Sequence, residues 1–275
     1  MKFIEWFFLN KGREADGLFS LAHIVTVTVI LLFLSLVAIN LGRKYKENPK
    51  AIDVILKVSA IIMIVLYVAE VLGDFLYLYM GKGLVLGTKE GNKAYFGLLV
   101  NSAPLFLCDI AIFSIPLIAF TKGKIRTILS DFMGIWGIPM GVIGTYLAGN
   151  VFGAVPVISF DGLLCIFIHV VPMAVTIFLY IIKFATINKA NMKTSLLSFF
   201  CFSLFVLVYN YIFGTNFMFF FTGDGTPFDL FRPYVSLPVY QVIVFSLYMS
   251  YMILFYYVFH FFKSKVVLKK ASVQY

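Results

Sequence analysis

Residues 18–50 read LFSLAHIVTVTVILLFLSLVAINLGRKYKENPK. From Leu18 to Leu41 there is no Asp, Glu, Lys or Arg. Such a run meets the roughly 20 apolar residues a helix needs to cross a bilayer. Arg43, Lys44, Lys46 and Lys50 follow at once. The pattern repeats along the chain and predicts six more spans: Ile52–Tyr79, Phe96–Phe120, Thr127–Ala148, Ser159–Ile182, Thr194–Phe213 and Leu237–Phe262. The expected fold is therefore all-α, a polytopic seven-helix transmembrane bundle over residues 18–262.

Composition agrees. Of 275 residues, 61% are hydrophobic and 13% charged, about half the charge of a soluble domain. Mean hydropathy is +0.97. Residues 1–17 are too short to span and read as an interfacial segment with Trp6 at headgroup level. Residues 263–275 read as a basic cytoplasmic tail. The net charge of +9 is explained by basic loops against anionic lipid, without nucleic acid.

Charge bias sets the orientation. Fourteen basic residues fall in the loops after spans one, three and five and at the C-terminus, against seven on the other side. The positive-inside rule places the N-terminus outside and the C-terminus in the cytoplasm. The expected location is a bacterial plasma membrane, crossed several times.

Depth then follows at about 1.5 Å per residue. Cys108 and Asp109 on the third span lie about 18 Å below its outer end, and His169 on the fifth about 15 Å below. Glu70 and Asp74 share one face of the second span, near and above that level. His23, Asn101, Asp161, Asn210, Tyr211 and Asn216 lie toward the same outer side. Ionisable groups in hydrocarbon cost several kcal/mol unless they pair or reach water. Together these residues predict a polar chamber opening outward. Cys201 and His260 are the exceptions on the inner side.

Each has a plainer reading. A thiol packs as a small hydrophobe, an intramembrane His bonds a neighbouring helix, and Pro104, Pro116, Pro139 and Pro172 kink helices. Cys165, four residues before His169 on one helix face, forms a rival thiol–imidazole pair. No metal-ligand spacing and no nucleotide-type Gly-rich loop occurs, so no cofactor is expected.

Several segments resemble elements of the YwaF-like integral membrane proteins. Ala103-Pro104-Leu105-Phe106-Leu107-Cys108-Asp109 resembles their LPLHLC element, and Phe19-Ser20-Leu21-Ala22-His23 their opening FS..H element. Asn210-Tyr211-Ile212-Phe213-Gly214-Thr215-Asn216-Phe217-Met218 resembles NY.FGTNYMFL, the most specific of the set. Ile168-His169 before Pro172 is similar to the fifth-span histidine segment. Phe106 and Leu164 stand where that pattern carries further histidines. The family is similar to a eukaryotic transmembrane acyltransferase of ether phospholipids and, more distantly, to androgen-induced-gene hydrolases of fatty-acid esters. The resemblance implies Cys108 as nucleophile and His169 as its catalytic partner.

Chemistry consistent with this is acyl transfer through a thioester. His169 takes the Cys108 proton and the thiolate attacks a lipid ester. Glu70, Asp74 or Asp109 orients the imidazole, and Asn210, Asn101 or Tyr211 supplies the oxyanion donor. The partners are then membrane lipids, as acyl donor and acceptor phospholipids, with water as the acceptor in a hydrolase. Two other classes stay open: a transporter or binding bundle using the intramembrane carboxylates, and an accessory subunit whose polar groups only hold helices together.

Overall fold

The computed structural model describes the backbone of residues 2–10 and 12–272, and the side chains of residues 3–10 and 12–262. Ten α-helices follow in order: α1 Lys2–Phe7, α2 Leu21–Tyr45, α3 Pro49–Leu76, α4 Lys89–Asn101, α5 Ile110–Phe120, α6 Gly123–Tyr146, α7 Gly149–Phe152, α8 Phe160–Ile181, α9 Lys189–Phe213 and α10 Leu237–Ser272. No strand occurs among the described residues. Six helices are long and apolar enough to cross a membrane, and α5 is a shorter apolar helix.

The chain is thus a multi-pass helical membrane protein, with one correction to the expected spans. The third is not a continuous helix. It breaks between Asn101 and Ile110, and residues 102–109 form turns. Pro104 explains part of the break, because its ring removes a donor and disfavours helix at the preceding residue. A second difference lies at the C-terminus. The backbone of α10 continues as helix to Ser272, into the expected tail, while 273–275 lie outside the described residues.

Helix starts follow from local chemistry. Ser20, Asn48, Thr88, Ser159 and Asn188 each accept a backbone N–H of the helix they precede, satisfying donors that a first turn leaves free. Pro49 adds a preset φ at the first position of α3.

Helices α6 and α8 form the centre. Their apolar windows are 56% buried, against 11% for α2. The outer faces carry large exposed apolar groups such as Phe33, Leu36, Ile61 and Leu254, as lipid contact requires. Gly134, Gly137, Gly141 and Gly144 lie three or four residues apart along α6. A Cβ at three of them would meet α8, at Thr176, Met173 and His169, and one at Gly134 would meet the side chains of Tyr180 on α8 and of Ala185 and Ile187 beyond it. This small-residue stripe lets the two backbones close together, the usual device where lipid offers no hydrophobic driving force.

Candidate functional site

The break in the third span sets the site. Irregular backbone at membrane depth survives where protein covers it or where it lines a cavity. Here two tyrosines take carbonyls that the break leaves free. Tyr209 of α9 donates to the Val100 carbonyl at 3.0 Å, and Tyr67 of α3 donates to the Ser102 carbonyl at 3.0 Å. Cys108 sits one residue before Asp109, the N-cap of α5. Cys108 therefore lies at the positive end of that helix dipole, which favours negative charge nearby.

The Cys108 thiol donates to Asp109 Oδ1 at 3.6 Å, while Asp109 Oδ2 accepts the Phe106 N–H at 3.2 Å. The backbone N–H groups of Leu107 and Cys108 have no acceptor among the described residues. Asp109, Cys165 and Glu70 lie near Cys108 around this turn, and Asp109, Asp74 and Asp161 lie near Glu70. No cation pairs with Glu70, Asp74, Asp109 or Asp161 among the described residues. Gly73, beside Asp74 in α3, lets Phe160 at the start of α8 press against that helix. The acids thus gather between α3, the broken span and the first turns of α8.

His169 is half-buried. Its Nδ1–H donates to the Cys165 carbonyl at 2.7 Å, which fixes the tautomer and leaves Nε2 as a lone pair. The ring lies against Gly144, whose missing side chain makes room for it. No hydrogen bond joins His169 to Cys108. Cys165 Sγ approaches Nδ1 at 3.9 Å, but that nitrogen already carries its proton. The nearest acceptor for the Cys108 proton is Asp109.

The remaining expected chamber residues lie in structural bonds. His23 is fully buried. Its Nε2–H donates to the Thr145 carbonyl at 3.0 Å and its Nδ1 accepts the Phe19 N–H, so it pins α2 to α6. Asn210 is fully buried; its Oδ1 accepts from Thr215 and from the Phe217 N–H, and its Nδ2 donates to the Phe217 carbonyl. Asn216 accepts from Phe221 and Thr222 and donates to Asp224. Tyr211 bonds Gln241, and the exposed Asn101 bonds the Gly97 carbonyl one turn back.

The Asn210 staple shapes the site at one remove. After Gly214, in the left-handed region at φ 68°, the chain turns through a 3₁₀ segment, Phe217–Phe219. Phe106 packs edge-on to Phe217 at 5.0 Å and against Phe219 at 5.4 Å. The phenyl ring that stands in place of a histidine is thereby absorbed into an aromatic wall beside Cys108.

One buried acid is missing from the sequence-based set. Asp131 of α6 is fully buried and accepts from the Thr186, Ile187 and Asn188 N–H groups, the Thr186 hydroxyl and the Asn191 amide. His260 donates to the Ile187 carbonyl at 2.8 Å. Ile187 is β-branched at φ 47°, a strained conformation held from both sides. The available signal was a lone Asp inside an apolar stretch.

Among the described residues no three His, Cys, Asp or Glu side chains converge as a metal set. Neither a curated protein nor a solved structure matches the chain. Residues 18–259, from the first span into the last, match the pattern of one membrane-protein family, and the chain belongs to the TMEM164 family.

Proposed function

We propose that this protein moves acyl chains between membrane lipids, or to water, through a thioester on Cys108. The observation that carries the reading is the thiol in the broken third span, hydrogen-bonded to Asp109 at the mouth of α5. In the first half-reaction the S–H proton passes to Asp109 and sulfur attacks the ester carbonyl. The N–H groups of Leu107 and Cys108 stabilise the oxyanion. The ester C–O bond breaks, and Asp109 returns the proton to the departing glycerol oxygen. In the second half an acceptor hydroxyl gives its proton to His169 Nε2 and its oxygen attacks the thioester. The C–S bond breaks and the proton passes to sulfur.

Support comes from the third- and fifth-span segments that resemble the YwaF-like proteins and the ether-phospholipid acyltransferase. On the charge bias, the site faces the outer leaflet of a bacterial plasma membrane. In proteoliposomes with a phospholipid carrying a labelled acyl chain, the wild-type protein transfers or releases label. Cys108→Ala abolishes this while its detergent elution profile is unchanged. Label turnover at the wild-type rate in that variant would end the proposal.

A second reading rests on the four unpaired carboxylates, which also suit a proton or cation path. It expects Glu70→Gln to remove ion flux from proteoliposomes that turn over no lipid.

A further inference from the structure

The opposite end of the bundle holds a basic cleft that the acyl chemistry leaves unused. It has a volume of about 440 Å³ and lies where the α2–α3 turn, the α5–α6 turn and the segment after α8 meet. Lys46, Lys50, Lys122 and Arg126 line it, with Ile52 and Phe184 as apolar walls. Two acids also line it, and each already has a partner. Asp53 is held by Lys57 at 2.7 Å and Glu47 lies 3.7 Å from Lys46. Counting Lys57 with its partner, the cleft keeps a positive excess.

Arg126 is the informative residue. Its guanidinium lies 5.4 Å from the Phe184 ring centroid, and Nη2 donates at a long 3.4 Å to the Ala119 carbonyl. Its Nε–H is shut from solvent with no acceptor among the described residues. The residue as a whole is only half-buried, and its Nη1 makes no hydrogen bond among the described residues and is open to solvent, so an anionic oxygen in the cleft gives it a charge-assisted acceptor. Beside the cleft, Val54 of α3 and Ile125 of α6 are 59% and 56% exposed. Charge on the floor of a cleft and open apolar surface at its side match a phosphate head with acyl tails.

We propose that this cleft holds the phosphoryl head of an anionic phospholipid in the leaflet at the basic end, with its tails along Val54 and Ile125. Basic pockets between spanning helices are a recurring form of such recognition. The site is distinct from Cys108 and stands whether or not the thioester chemistry does.

The test uses full-length protein purified in neutral detergent and offered mixed phosphatidylcholine–phosphatidylglycerol vesicles, with retained lipid counted by native mass spectrometry. The wild type retains phosphatidylglycerol at least tenfold over phosphatidylcholine, and millimolar inorganic phosphate does not displace it. Arg126→Gln lowers the preference about fivefold, the effect of one basic residue near a lipid surface. Lys50→Gln with Lys122→Gln lowers it further and leaves the helix packing of Arg126 intact, which covers a folding failure of the single variant. Lys82→Gln with Lys89→Gln, at the other end, leaves it unchanged. Equal retention of the two lipids, displacement by free phosphate, or the same loss in the control variant would overturn the assignment.

Discussion

Asp109, just before α5, and Asp131, inside α6, lie on the two arms of one helical hairpin and are treated in opposite ways. Asp131 is enclosed and accepts five hydrogen bonds, four from the loop before α9 and one from Asn191 in its first turn. Asp109 takes one backbone N–H and one thiol and has unpaired acids for neighbours. Buried polar groups are normally satisfied, so the Asp131 carboxylate reads as architecture. The surroundings of Asp109 keep donors and acceptors unused: the Leu107 and Cys108 N–H groups, the His169 Nε2 lone pair and the Glu70 carboxylate. Polar groups left available at membrane depth are what chemistry or transport requires, and what pure scaffolding avoids.

The comparison can be broken from either end. After the abolition expected of Cys108→Ala, the next largest effect is expected from His169→Gln, which on the acyl-transfer reading removes a general base. Lipid turnover should fall by about 10²–10⁴-fold, with unfolding in graded denaturant little changed; a purely structural imidazole would give the reverse. Asp131→Ala should do the opposite. Five donors lose one acceptor, and stability should drop by roughly 3 kcal/mol while turnover per folded molecule stays near wild type. A proportionate loss of turnover there would erase the distinction between the two acids.

Gly144→Ala sharpens it, because that position serves both packing and site. The added methyl meets the His169 ring, so an overpacking cost of about 1–3 kcal/mol should accompany reduced turnover in one variant. The smallest effect belongs to Cys165→Ala. Its contact is with the protonated nitrogen of His169, and turnover should change by less than about threefold. Loss of turnover confined to that variant would move the nucleophile to α8.

Much of the fold was legible because length and apolarity suffice for a span. Leu18–Leu41 and Ser159–Ile182 appear as α2 and α8 with ends shifted by a few residues. The break in the third span was not legible. Residues 102–109 run through Leu105, Phe106 and Leu107 straight into the apolar α5, and Pro104 alone marks a kink as well as a gap. Cys108 is visible as a thiol in lipid, but a depth counted along the span assumes a helix that in fact stops at Asn101.

Asn210 shows a different limit. A polar side chain within apolar sequence gives the same signal whether it meets a ligand or staples a turn, and here it closes the turn to Phe217. His23 is alike, with both ring nitrogens taken by backbone. The α6 glycines were readable as a small-residue stripe only once α8 was known to lie against them, since spacing along one helix does not name the helix opposite.

The most direct test is to trap the acyl enzyme. His169→Gln protein is incubated with phospholipid bearing an isotope-labelled acyl chain, quenched, digested and mapped by mass spectrometry with and without hydroxylamine. The account predicts one hydroxylamine-sensitive acyl group on Cys108, because thioester formation uses Asp109 and only its resolution needs His169. An acyl group on Cys165, or a lipid-active wild-type enzyme with no acylated cysteine in either protein, would contradict it.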